Sequence, residues 1–146
     1  MTKRKILLAL AIAALLLFWL WPRTAMPDME GMENIAITII DHWVVEGMPQ
    51  SESRQYSIAV GSPTYTELES LLDNTYLHRS LHDLWSDGAF KGGDHMIMLM
   101  GGEAMIFSEG VVHISNHLYS GYFSNPGADL ANQIADLLAD VPPLEK

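Results

Sequence analysis

The spacing of apolar positions changes along the chain. Ile6 to Trp21 is an unbroken run of sixteen apolar residues, preceded by Lys3, Arg4 and Lys5. As a helix this run spans about 24 Å, slightly short of the roughly 30 Å hydrocarbon core of a bilayer. Residues 24–33 show no apolar period and contain Pro27 and Gly31, which predicts a short tether. The period then becomes two. Ile35, Ile37 and Ile39 fall on one side of a strand that Trp43, Val44 and Val45 extend. Tyr56, Ile58 and Val60 mark a second strand, with Gly47 to Ser53 read as a polar loop between the two.

A helical period follows. Ser62-Pro63 is a start signal, and Thr64 with Glu67 has the capping-box spacing. Tyr65, Leu68, Leu71 and Leu72 form its apolar face, and Asn74 is a left-handed stop. Thr75 to Leu81 reads as a third strand and His82 to Asp94 as a loop. Gly101-Gly102 predicts a two-residue hairpin that sets Met98 opposite Met105 and Met96 opposite Phe107. Turns at Glu109-Gly110 and Asn116-His117 continue a meander through Phe123. Met96, Met98, Met105, Phe107, Val112, Ile114 and Tyr119 then share one sheet face, and His113 lies partly exposed on the other. Asn125-Pro126 opens a last helix whose Leu130, Ile134, Leu137 and Leu138 cover that face. The expected fold class is α+β: an N-terminal transmembrane helix followed by an antiparallel meander sheet packed by two helices.

The basic start before the apolar run predicts a signal anchor. Arg23 at the wrong position for signal peptidase argues for its retention. The expected division is a signal anchor over 1–23, a tether over 24–33 and an extracytoplasmic α+β domain over 34–146. The N-terminus would be cytoplasmic and the protein a single-pass component of the cell membrane. All 18 acidic residues follow residue 24, opposed there only by Arg54, Arg79, Lys91 and Lys146, a net −14. Such an exterior repels anionic lipid and nucleic acid and favours cations or a basic protein partner, weighed against plain solubility. The absence of cysteine excludes disulfides, thiolate metal sites and a cysteine nucleophile.

Candidate chemistry is sparse. His78 and His82 are four apart, as are His113 and His117, which is metal-ligand spacing on a helix. Both pairs fall in predicted strand or turn, where that spacing does not bring imidazoles together. Met26, Met29 and Met32 recur every third residue in the tether, next to Asp28 and Glu30. Soft thioethers in that pattern are candidate Cu(I) ligands, weighed against a tether that merely carries methionines. The alternating Met96, Met98, Met100 and Met105 are read as core filling. Asp41 could orient His42, but neighbours on a strand face opposite ways. No nucleophile elbow, phosphate-cradling loop or cofactor-binding motif is present, so no enzyme and no cofactor are expected.

The order of an apolar start, Tyr56–Val60, Tyr65–Leu72, Arg79–Leu81 and then Met105–Ser115 before a closing helix resembles small secreted or membrane-anchored Firmicutes-type domains of unknown function. Ile106-Phe107-Ser108, Ile114, Asn116 and Tyr119 fit the phrase those domains carry before their last helix; Glu109-Gly110 and His117 depart from it. The resemblance implies the fold and a membrane or secreted location, and transfers no activity or site residue. The expected function is a non-catalytic, membrane-anchored module that binds a protein or ligand. The alternatives are Cu(I) binding through the tether and an acidic inhibitor or immunity-type protein.

Overall fold

The computed structural model describes residues 3–85, 95–122 and 125–145. Most of the predicted loop before His95, including Gly92-Gly93, and the predicted strand end at Phe123 lie outside the described residues. The elements run α1 (Lys3–Trp19), β1 (Arg23–Thr24), β2 (Asn34–Val45), β3 (Met48–Ala59), α2 (Pro63–Asp73), β4 (Tyr76–Arg79), a 3-10 helix (Leu81–Leu84), β5 (His95–Met100), β6 (Ala104–Ser108), β7 (Val111–Ile114), β8 (His117–Ser120) and α3 (Pro126–Leu137). The strands form one antiparallel sheet in the order β1-β4-β8-β7-β6-β5-β2-β3. α2 and α3 cover one face. Their Tyr65, Leu68, Leu72, Leu130 and Ile134 meet Ile35, Ile37, Ile39, Ile97, Leu99, Met105, Phe107 and Val112 in a single core.

The expectation of a transmembrane helix is overturned. Among the described residues no helix is long and apolar enough to cross a membrane. α1 has 17 residues, the first three of them basic, and is about 25 Å long. Its end is set by tertiary bonds rather than by the end of the apolar run. Leu20 turns out of the helix, Pro22 supplies no amide hydrogen, and Arg23 and Thr24 pair with Leu77 and Tyr76 of β4.

The stretch expected to be a tether packs on the domain. Ala25 is fully buried and its N–H donates to Leu72 O and Thr75 O. Gly102 N–H donates to Asp28 O at 2.7 Å, and a Cβ at Gly102 would lie 2.5 Å from that oxygen. Gly102 is therefore required by close approach of the chain, whereas Gly101 has the flexible Met29 side chain as its nearest neighbour. Neither has the positive φ of a two-residue hairpin turn. Met100 pairs with Ala104 instead of Glu103, a slip of one residue. A one-residue slip exchanges the two faces of a strand. Ile97 and Leu99 consequently enter the core, and Met96, Met98 and Met100 take the opposite face.

Three smaller expectations are also corrected. Met48–Ser53 is strand, not loop, joined to β2 by Glu46-Gly47, both with positive φ. This is an edge strand exposed on both sides, so its polar residues show no period. Ser62, not Thr64, caps α2, its hydroxyl accepting from Tyr65 N at 3.2 Å. Asn74 ends that helix at φ −84°, outside the left-handed region.

His113 is buried rather than partly exposed, at 6% of its surface. It pairs with Leu118, whose backbone is held from the far side of the strand by Ser80 and Asp83. Burial lowers the His113 pKa, against the opposing pull of Asp83. The native state thus favours the neutral imidazole, and the unfolded chain takes up the proton first. Stability is full above the unfolded value of about 6.5 and falls as pH drops below it. Denaturant midpoints should decline between about pH 7.5 and 5.5, and His113→Gln should flatten that slope.

Candidate functional site

The site is built where α1 meets the sheet. Trp19, in the last turn of α1, donates from Nε1 to Ser80 O at 3.4 Å. The Arg79 guanidinium stacks over the Trp19 ring, 4.3 Å from its centroid. Tyr122 OH donates to Leu20 O at 2.7 Å, taking one of the carbonyls that a helix end leaves free. Arg23 reaches Glu103 with both terminal nitrogens and stacks over Tyr119 at 5.5 Å. Burial would lower the Arg23 pKa, but Glu103 and Tyr119 hold it above its ordinary value, so the charge is permanent.

These contacts frame an open cleft of about 280 Å³ lined by Phe18, Trp19, Trp21, Pro22, Arg23, Arg79 and Tyr119. The arginine planes are fixed from outside the lining. Arg79 Nε donates to Asp83 at 2.7 Å, and Asp83, its side chain 4% exposed, also accepts from Leu118 N–H at 2.9 Å. Burial alone would raise the Asp83 pKa, but that amide and Arg79 hold the carboxyl below the usual range. An aromatic cleft with two oriented guanidiniums suits an apolar body joined to an anionic head.

A second cluster lies where the core face runs past the cover of the helices. Asp41 and His95 are directly paired across β2 and β5, and Arg54 of β3 is directly opposite Ile39. Asp41 accepts from Arg54 Nη2 at 2.8 Å and from His95 Nδ1 at 2.5 Å. Burial would raise the Asp41 pKa, and these two partners bring it below the carboxylate norm. A carboxylate oriented on Nδ1 leaves Nε2 of the imidazole as the acceptor. His95 Nε2 and Arg54 Nε are buried without a hydrogen-bond partner among the described residues. No hydroxyl is hydrogen-bonded to His95 among the described residues. Sequence reasoning tested Asp41 against His42 and missed His95. Cross-strand register would have found it, since paired residues share a face and adjacent ones do not.

The residues singled out in the sequence are dispersed. Met26 and Met29 pack against the core, while Met32 is exposed. His78 Nδ1 donates to Arg79 O, His82 Nδ1 accepts from Trp85 Nε1, and His117 bonds to Arg79. Neither four-residue histidine pair forms a metal cluster among the described residues. Sequence reasoning also misses the aromatic cleft, since Trp19 and Trp21 enter it only as the end of the apolar run, without Arg23 and Arg79 beside them.

No protein-family model, curated protein or solved structure matches this chain.

Proposed function

We propose that the protein is a non-catalytic binding module held on a lipid bilayer by α1. The observation that carries this is the state of α1 itself. None of its residues is buried, and its large apolar side chains before Trp19 are exposed by 45% at Ile6 to 80% at Phe18. Exposed apolar surface of this size marks an interaction site rather than a water-facing one. The exposure runs right around the helix, through Leu7, Leu8, Leu10, Leu15 and Leu17. A protein groove covers one side of a helix, whereas a helix lying in the bilayer interface is covered over most of its surface without crossing the membrane. Lys3, Arg4 and Lys5 at one end match anionic headgroups. Trp19 and Trp21 at the other are residues of the membrane–water boundary.

Flotation tests the reading. The full chain should float with phosphatidylcholine vesicles, and Leu10→Lys with Leu15→Lys should leave it in the dense fraction. Both leucines are more than half exposed, so the folded domain loses no packing. A wild-type chain that stays in the dense fraction overturns the proposal.

A further inference from the structure

We propose that the cleft at the foot of α1 binds the phosphodiester headgroup of an anionic phospholipid, with Arg79 as its donor and Arg23 as a second cation beside it. This rests on the reading of α1 as the membrane contact. Three observations lead to it.

The first is charge. The chain has 18 acidic residues against 8 basic ones, yet among the described residues the cleft is lined by two cations and no acid. Glu103 and Asp83 hold the guanidinium planes but are not part of the lining. The second is the donors. Arg23 spends Nε on Thr24 O and both terminal nitrogens on Glu103, whereas Arg79 uses Nε on Asp83 and Nη2 on His117 and has Nη1 without a partner among the described residues. The Arg79 guanidinium carbon lies over the Trp19 ring, 4.3 Å from the centroid, and Nη1 is left to donate. A planar fork of N–H groups matches the paired oxygens of a phosphate. The third is position. The cleft sits where α1 ends and the sheet begins, beside Trp19 and Trp21. With α1 lying in the bilayer interface, that end is at the level of the headgroups. A lipid phosphate reaches the cleft there with its own acyl chains beside the helix, which a phosphate free in solution does not.

The test compares vesicles of phosphatidylcholine with vesicles of equal parts phosphatidylcholine and phosphatidylglycerol. The full chain should bind the mixed vesicles more tightly. Arg23→Gln with Arg79→Gln should keep binding to phosphatidylcholine and lose about fivefold per arginine on the mixed vesicles. Arg79→Lys keeps the charge and an amine for Asp83 but not the planar fork. It serves as the second variant should the double one fail to fold, and its preference should be intermediate. Full preference retained in the folded variants overturns the cleft and assigns selectivity to Lys3, Arg4 and Lys5, with the membrane reading intact. Inorganic phosphate abolishing the preference at matched ionic strength overturns the commitment to lipid. No binding to either vesicle overturns the membrane reading itself.

Discussion

Gly127→Ala will destabilise the domain by about 3 kcal/mol, the upper end for overpacking a filled site. The cause is backbone against backbone. A Cβ at Gly127 would lie 2.1 Å from Ser108 O and 2.6 Å from Val111 O. Neither oxygen belongs to a side chain that can rotate away. Both flank the turn between β6 and β7, which is further tied to the helix start by Gly110 N–H donating to Asn125 Oδ1 at 3.1 Å. Helix propensity alone would favour alanine here by about 1 kcal/mol, so the sign of the result decides between local preference and packing. For a domain of this size the melting temperature should fall by roughly 10 °C. An unchanged or raised melting temperature would show that α3 does not rest on that turn.

Leu99→Ala and Met98→Ala should part company. Leu99 is fully buried, faces Met105 and Ile37 across its two neighbours, and belongs to the core under α3. Its truncation should cost about 2–5 kcal/mol, read as a lowered denaturant midpoint with an unchanged slope. Met98 lies on the other face, half-buried, opposite Thr38 and Ile106. Its truncation should cost about 1 kcal/mol, the ordinary value for a substitution outside a filled core. The reverse ranking would restore the two-residue turn at Gly101-Gly102 and the methionine face that it implies.

These two residues also show how far local reading carries. Strands at Ile35–Ile40 and Tyr56–Ala59, both covering helices, the turn at Glu109-Gly110 and the existence of a β5–β6 hairpin were legible, because each leaves a period or a cap within a few residues. The hairpin register was not. Two glycines in a row have the same appearance whether they supply positive φ or make room for a neighbouring chain, and the neighbour, Asp28, lies far away in sequence. The edge strand β3 was legible only in its buried half, since a strand exposed on both faces has no alternation to read.

The candidate site divides in the same way. An apolar run of sixteen with a basic start is a local property, and it makes α1 a helix that prefers an apolar phase wherever it ends. Where it ends was decided by the fold. Pairing of Arg23 and Thr24 with β4 draws the chain back to the sheet, and Tyr122 and Ser80 hold the last turn. The cleft exists only after that happens, because Trp19, Arg79 and Tyr119 come from three distant segments and have no common motif. Asp41 and His95 likewise meet through strand register across 54 positions. Burial of an apolar face follows from composition and period, which are additive along the chain. The convergence of a few polar groups depends on how the layers close over one another, and no short window of residues encodes that.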